Sequence, residues 1–246
     1  MLVGGLQKMT LIDYPGKIAA TVFTNGCNFR CPFCHNPELV HGFPLRQGFV
    51  GQAQFTVHGD DRVEKQVDEF FEFLETRKGK LDGVCITGGE PTLQPDLVDF
   101  IKRIKELGFA VKLDSNGTRP DVLRELFEKK MVDYVAMDIK ASLGNYQKVC
   151  GAKIDLERIK LSVDLIKNSG VDYEFRTTVV PGLHSEKEFE DVAEWLAGTK
   201  KYILQKYQDY GKILDDSLRD KIKGKEIDLE RIKEMFEGKV DEVEIR

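Results

Sequence analysis

Three cysteines lie close together near the amino terminus, at Cys27, Cys31 and Cys34. Their C-x3-C-x2-C spacing puts three thiolates on one short loop, where they can wrap a single soft-metal centre. A four-iron cluster with three thiolate ligands keeps one iron open, and catalytic metal sites bind substrate at such an open position. A cluster that only carries electrons usually has a fourth cysteine nearby, and neither Cys85 nor Cys150 is close in sequence.

A zinc site is the alternative for the same loop. His35 or His41 would then complete a zinc knuckle with the cysteines. Zinc ligands more often occur as C-x2-C pairs with a second pair further along the chain, and His35 directly follows Cys34, an awkward geometry for the same ion. Cys85, within a predicted strand, and Cys150, before a glycine, are expected to be buried or incidental thiols.

Further candidate residues follow the later predicted strands. Gly88, Gly89 and Glu90 follow the second strand, where two glycines let backbone groups approach a ligand closely. Asp138 and Lys140 end the fourth strand, and their two-residue spacing puts both side chains on one face. Charged groups that point into a barrel are costly unless they are paired or bound to a ligand, so we interpret them as functional.

Two more strand ends carry polar residues. Asp114 and Ser115 close the third strand, although the Asn-Gly pair after them is equally consistent with a plain turn. Arg176 on the fifth strand has a fork of donors that suits a planar anion, while a salt bridge with Glu174 or another acid is the competing interpretation. His184, on the next loop, is interpreted as a solvated residue rather than a catalytic base.

These residues must be positioned by an alternation of short β-rich runs and amphipathic helices. The predicted strands are 18–24, 83–87, 110–114, 134–139, 173–180, 202–205 and 240–245. Apolar residues at helical spacing occur in 63–74, 97–104, 156–166 and 189–196, and Pro120 suits the first position of another helix. Strand–helix–strand units imply parallel strands, and about six such units predict an α/β fold, a partial (β/α)6 TIM-like barrel with outer helices.

Composition and charge narrow the class of protein. We expect one domain, 1–246, with a loop insertion at 42–61, either a lid or a plain surface hairpin, and a C-terminal extension at 212–246. The chain is 41% hydrophobic and 32% charged, as soluble globular proteins are, and its net charge of -5 gives no reason to expect nucleic-acid binding. Without a long apolar run or a signal-peptide layout, it is expected to be cytoplasmic and not bound to a membrane.

One stretch resembles a known family. Residues 12–39 read IDYPGKIAATVFTNGCNFRCPFCHNPEL. This run is similar to the radical S-adenosylmethionine (SAM) superfamily, whose signature is this cysteine spacing with an aromatic residue, here Phe33, before the last cysteine. Within the superfamily it most resembles the activating enzymes of glycyl-radical enzymes, in particular long-form anaerobic ribonucleoside-triphosphate reductase activating proteins. The resemblance covers nearly the whole chain and weakens at 42–61 and after Gly211.

The resemblance implies a [4Fe–4S] cluster on Cys27, Cys31 and Cys34 that cleaves S-adenosylmethionine to a 5′-deoxyadenosyl radical. That radical would abstract hydrogen from a glycine of a partner glycyl-radical enzyme, expected to be anaerobic ribonucleotide reductase. A flavodoxin or ferredoxin would supply the low-potential electron. The residues implied to contact S-adenosylmethionine are Phe33, His35, Gly88, Gly89, Glu90, Asp114, Ser115, Asp138, Ile139, Lys140, Arg176 and Gln208. Gln208 departs from the family pattern, because related activases carry a histidine near the adenine at this place.

Two other functions stay open at this point. The first is a radical SAM enzyme that acts on a small molecule, as deazapurine ring-contracting members with the same three cysteines do. The second is a non-enzymatic protein, either an iron–sulfur electron carrier or a zinc-stabilised adaptor. Production of 5′-deoxyadenosine and methionine after anaerobic reconstitution with dithionite separates the enzymes from the non-enzymatic protein.

Cys31→Ala is expected to abolish cleavage of S-adenosylmethionine, because the cluster loses one of its three thiolate ligands. The measurement is the yield of 5′-deoxyadenosine after anaerobic reconstitution and reduction. Cleavage that survives in this variant would rule out the assignment of the cluster to these cysteines.

Overall fold

The computed structural model of the protein describes residues 1–40 and 60–246. Most of the predicted loop insertion, up to residue 59, therefore lies outside the described residues. Its last two residues, Asp60 and Asp61, begin a helix. No helix in the described ranges is both long enough and apolar enough to cross a membrane.

Eight strands and eight α-helices are present in the described part of the chain. The strands are β1 Val3–Thr10, β2 Ala19–Thr24, β3 Gly83–Gly88, β4 Ala110–Ser115, β5 Tyr134–Asp138, β6 Asp172–Val179, β7 Thr199–Lys206 and β8 Val240–Ile245. The helices are α1 Asp60–Glu75, α2 Leu97–Glu106, α3 Pro120–Glu128, α4 Tyr146–Cys150, α5 Leu156–Lys167, α6 Glu188–Trp195, α7 Leu218–Ile222 and α8 Leu229–Glu234.

The described residues group into two compact units, of which the first comprises Met1–Asn28, Glu38–Ser115 and Arg119–Val135. Its strands follow the order β1-β2-β3-β4, with β1 antiparallel to β2 and the other two pairs parallel. The register pairs Thr24 with Gly88 at the carboxyl ends of β2 and β3. The segments that follow these two residues therefore start side by side, at the edge where ligands of parallel sheets bind.

Strand β1 is missing from the sequence-based prediction, which starts the sheet at residue 18. Its sequence, VGGLQKMT, contains two glycines, and it buries its first four residues while exposing the next three. This pattern is neither a continuous apolar run nor a strict alternation, which are the two sequence signals of a strand. The sheet of the first unit therefore starts with an antiparallel strand instead of a parallel β/α unit.

The seven predicted strands are all confirmed. Their ends agree with the predicted ranges to within one residue, except that β7 starts three residues earlier, at Thr199. The helices predicted from apolar spacing are α1, α2, α5 and α6, and Pro120 is the first residue of α3. The short helices α4, α7 and α8 span only five or six residues each, too few for a periodic pattern to identify.

The second unit comprises Phe29–Pro37, Asn116–Thr118 and Ala136–Arg246. In this unit β6, β7 and β8 are parallel neighbours. Its core includes Tyr202 and Phe236, both without exposed surface, with ring centroids 4.6 Å apart. The prediction that the whole chain forms a single domain stays a prediction.

Phe236→Ala is expected to lower the free energy of unfolding by about 3–5 kcal/mol, because loss of a buried ring removes its packing and leaves a cavity. Urea denaturation of the purified protein measures this change. Leu161→Ala is the control, since this side chain is 41% exposed, and its effect should stay below about 1 kcal/mol. Equal effects of the two substitutions would contradict the packing described for Phe236.

Candidate active site

Cys27 lies on the loop that follows β2 in the first unit. The turn after β3 fixes the backbone that leads to it: Gly89 N donates to Thr24 O at 2.8 Å. Likewise, Glu90 N donates to Gly26 O at 2.8 Å. A Cβ atom at position 89 would lie 2.2 Å from the Gly26 carbonyl oxygen, so this close approach requires glycine. The Gly-Gly-Glu turn predicted from the sequence therefore holds the chain beside Cys27.

Glu90 and Ser115, two of the predicted site residues, meet at the carboxyl ends of β3 and β4. The Glu90 side chain is buried, with 1% of its surface exposed. One of its carboxylate oxygens accepts hydrogen bonds from the Ser115 hydroxyl at 2.9 Å and from Thr92 N at 3.1 Å. Neutral donors orient a carboxylate without cancelling its charge, so this group is suited to attract a cation.

Asp114 is ion-paired with Lys112, two residues earlier on β4. Both side chains are buried, and Cys85 Sγ lies 3.8 Å from Lys112 Nζ. Cys85 is thus a buried thiol, as predicted. Lys112 is not among the predicted site residues, although a charged residue inside an apolar strand is a signal for a buried, paired group.

Cys31 and Cys34 belong to the second unit and lie on a tight turn in which Cys34 N donates to Cys31 O at 3.0 Å. The end of α4 packs against this turn. Arg30 N donates to Cys150 O at 2.8 Å, and Cys31 Sγ lies 3.8 Å from the same carbonyl oxygen. A Cβ atom on Gly151 would lie 2.2 Å from Arg30 O. The glycine after Cys150 therefore permits this contact, and Cys150 is buried, as predicted.

Asp138, Lys140 and Arg176 form one ion-paired group at the ends of β5 and β6. The Asp138 carboxylate accepts from Lys140 Nζ at 2.8 Å and from Arg176 Nε at 2.6 Å. Burial raises the pKa of Asp138, but the charges of Arg176 and Lys140 outweigh burial and hold this pKa well below its ordinary value. The salt bridge considered for Arg176 therefore exists, with Asp138 as its acid, while Glu174 pairs with Arg246 at 3.5 Å.

Lys140 also interacts electrostatically with the cysteine turn. Burial lowers the pKa of Lys140, but the charges of Asp138 and then Cys31 raise it well above its ordinary value. The ammonium group can therefore attract a thiolate at Cys31, and the thiolate is the form of cysteine that binds metals. Between the two charged residues, Ile139 is fully buried and its N donates to Arg176 O at 2.8 Å.

His184 is buried, with 5% exposed surface, so its interpretation as a solvated loop residue is wrong. Its Nδ1 accepts from Val180 N at 2.9 Å, which leaves the proton on Nε2 to donate to Lys140 O at 2.8 Å. Burial lowers the pKa of His184, which favours this neutral form. Spacing alone could not reveal the contact, because 44 residues separate the two partners.

Gln208, the predicted adenine-side residue, is exposed, and its side-chain oxygen accepts from the Tyr210 hydroxyl at 2.8 Å. The ring of His35 contacts Tyr207 and Tyr210, with centroids 5.7 and 5.3 Å away. These two tyrosines are not among the predicted site residues, because aromatic residues in an irregular segment form no motif. Phe33 is buried, with 6% of its surface exposed.

The family model of the radical SAM superfamily matches residues 21–196 of this chain. The chain belongs to the radical SAM superfamily. It is a radical SAM enzyme, and the superfamily predicted from the cysteine loop is confirmed.

Curated relatives and a solved structure agree with this assignment. The enzyme is 34% identical over 250 residues to a putative glycyl-radical enzyme activating enzyme of Methanocaldococcus jannaschii. The alignment covers 100% of this chain and 95% of the relative. It is 28% identical over 253 residues to a pyruvate formate-lyase-activating enzyme of Clostridium pasteurianum, covering 96% and 98% of the two chains. Streptococcus suis SuiB, solved with its precursor peptide SuiA, has a TM-score of 0.63 at 14% identity, covering 92% of this chain and 48% of that one. This likeness confirms the predicted α/β, TIM-like fold.

Radical SAM enzymes use a [4Fe–4S] cluster and S-adenosylmethionine, and these are the cofactors of this enzyme. The donor chemistry suits the cluster, because Cys27, Cys31 and Cys34 are three thiols that are not in disulfides. Within the described ranges, no three His, Cys, Asp or Glu side chains are grouped as ligands of a single metal ion.

Asp138→Asn is expected to lower the free energy of unfolding by about 3 kcal/mol at neutral pH, because it leaves two half-buried cations, Lys140 and Arg176, without their carboxylate. Since the folded-state pKa of Asp138 is depressed, its stabilising effect is complete above the unfolded-state pKa of about 4 and is lost as the pH falls further. The stability difference between the two proteins should therefore stay constant from pH 7 to about 5 and shrink toward about pH 3.

Urea denaturation across this pH range measures the difference. Asp121→Asn is the matched control, because Asp121 forms an exposed pair with Arg119 and its loss should cost less than about 1 kcal/mol. A difference that grows as the pH falls would contradict the pairing described for Asp138.

Proposed function

We propose that Cys27, Cys31 and Cys34 bind the [4Fe–4S] cluster of this enzyme and leave one iron for S-adenosylmethionine. The three-cysteine spacing inside the matched region, 21–196, supports this assignment. The backbone hydrogen bonds that hold Glu90 to Gly26 support it too, because they fix the chain just before Cys27. When bound, the cluster would supply one electron, and S-adenosylmethionine would supply a carbon–sulfur bond whose cleavage gives methionine and a 5′-deoxyadenosyl radical. That radical would take a hydrogen atom from a glycine of the partner.

We propose that Glu90, Lys140 and Arg176 contact the methionyl group of S-adenosylmethionine. Glu90, oriented by Ser115, offers a negative charge to the ammonium. Lys140 offers a positive charge, and Arg176 a fork of donors, to the carboxylate. Asp138 holds both cations in place through its two oxygens. The other proposed contacts with this cofactor are Phe33, His35, Gly88, Gly89, Asp114, Ile139 and Gln208.

The proposed partner is a glycyl-radical enzyme. The observation that carries this proposal is the 34% identity, over the whole chain, to a protein named as a putative activating enzyme of that class. Among glycyl-radical enzymes we propose anaerobic ribonucleoside-triphosphate reductase, on the resemblance of residues 12–39. The partner's glycine must reach the bound cofactor, so the loop that carries it has to open locally.

The electron has to come from a low-potential donor, for which we propose a flavodoxin or a ferredoxin. We place the reaction in the cytoplasm, where reducing conditions keep thiols free. None of the five cysteines is in a disulfide in the structure.

Mixing the anaerobically reconstituted enzyme with dithionite, S-adenosylmethionine and anaerobic ribonucleotide reductase is expected to produce a glycyl radical, because the reductase carries the target glycine. Electron paramagnetic resonance measures the radical, and chromatography measures 5′-deoxyadenosine. Pyruvate formate-lyase in place of the reductase is the matched comparison and should yield much less radical.

The possible outcomes separate the functions. A radical on pyruvate formate-lyase alone would overturn the choice of partner and keep the class of activity. No radical on either protein, with turnover of a small molecule in its place, would identify a small-molecule radical SAM enzyme.

A further inference from the structure

The segment that follows β7, residues 207–219, packs against the cysteine turn of the second unit. We name this segment the C-terminal brace. Asp215 N donates a hydrogen bond to Pro32 O at 3.0 Å, and Pro32 lies between Cys31 and Cys34. Because proline has no N–H, this carbonyl is the only backbone hydrogen-bonding group that Pro32 has. The brace therefore holds the cysteine turn at its centre.

The brace contacts the same turn again just beyond Cys34. The ring of His35 lies nearly parallel to Tyr207, with 5.7 Å between centroids and 18° between planes, and edge-on to Tyr210 at 5.3 Å and 75°. Aromatic pairs at these separations attract one another. The brace thus holds the turn at Pro32 and at His35, on either side of one proposed cluster ligand.

Arg219 closes the brace on itself. Its Nε donates to Asp209 Oδ2 at 2.6 Å and its Nη2 to Asp209 Oδ1 at 3.2 Å, and its Nη1 pairs with Asp216. Ile213 and Leu218 are buried and anchor the brace in the second unit. Loss of the guanidinium would free both ends of residues 209–216, the stretch that carries Asp215.

A separate contact holds the start of the cysteine turn. Arg30 N donates to Cys150 O at the end of α4, at 2.8 Å. Removal of Arg219 would leave this contact and all three cysteines in place. The effect of the brace can therefore be separated from the loss of a metal ligand.

We propose that Arg219 is a positioning residue for the cluster: it keeps the C-terminal brace over residues 31–35, fixes the turn and limits the access of water. This inference rests on the proposed cluster at Cys27, Cys31 and Cys34. The stability and reduction potential of an iron–sulfur cluster depend on its solvent exposure and on the groups around its ligands. Arg219 acts through the brace, since its ion pairs are with Asp209 and Asp216.

Arg219→Gln is expected to release iron to a chelator about tenfold faster than the unmodified enzyme, a size typical of lost support around metal ligands. The midpoint potential of the cluster in Arg219→Gln should rise above that of the unmodified enzyme, because water stabilises the more highly charged reduced cluster. Arg219→Lys keeps the charge but loses the fork to Asp209 and should fall between the two. The matched control is Arg231→Gln, which breaks an exposed pair with Glu186 (3.1 Å) and should leave both readings unchanged.

Hydrogen exchange of residues 27–36 in the iron-free protein supplies a second reading that needs no cluster. Faster exchange in Arg219→Gln, and not in Arg231→Gln, is expected.

Tyr210→Ala removes an exposed ring from His35 and serves as the test variant if Arg219→Gln does not fold. Exchange and iron release equal to those of the control would overturn the role of Arg219. An unmodified enzyme that binds no cluster would instead refute the proposed function, and the exchange comparison would still decide whether the brace holds the turn.

Discussion

Backbone hydrogen bonds from neighbouring segments hold the chain around each cysteine of the loop, and the proposed chemistry depends on this restraint. In the first unit, Gly26 accepts from Glu90, just before Cys27. In the second unit, Arg30 donates to Cys150 and Pro32 accepts from Asp215. Metal ligands on a free loop would lose conformational entropy on binding, whereas ligands that are already held lose little.

Charge is arranged differently in the two units. The first unit contains Glu90, whose carboxylate is oriented by the neutral donors Ser115 and Thr92. In the second unit, the single carboxylate of Asp138 holds two cations, Lys140 and Arg176, so this group carries an excess positive charge. A methionyl group is a zwitterion, and it needs a partner of each sign. In the half-buried group of the second unit, the pairing with Asp138 offsets the cost of holding Lys140 and Arg176 away from water.

The features that depend on local pattern could be predicted from the sequence. The seven predicted strands and the helices with long apolar stripes are confirmed, because periodicity is a property of neighbouring residues. Strand β1 was missed, since its paired glycines and exposed Gln7–Met9 stretch hide the alternation of a strand. Features that depend on residues far apart in the sequence were harder to predict. The sequence could suggest a salt bridge for Arg176 but could not choose Asp138, 38 residues away, as its acid. The burial of His184 and the contacts of the C-terminal brace likewise arise from the fold.

The central claim is that three thiolates leave one iron of the cluster open for S-adenosylmethionine. Its most direct test is electron–nuclear double resonance on the reduced, oxygen-protected enzyme, with the amino nitrogen of S-adenosylmethionine isotopically labelled. The account predicts a hyperfine coupling between that nitrogen and the cluster, which appears only when the labelled cofactor is added. Zinc in the purified protein, or a cluster whose four irons all have protein ligands and no coupling to the label, would contradict it.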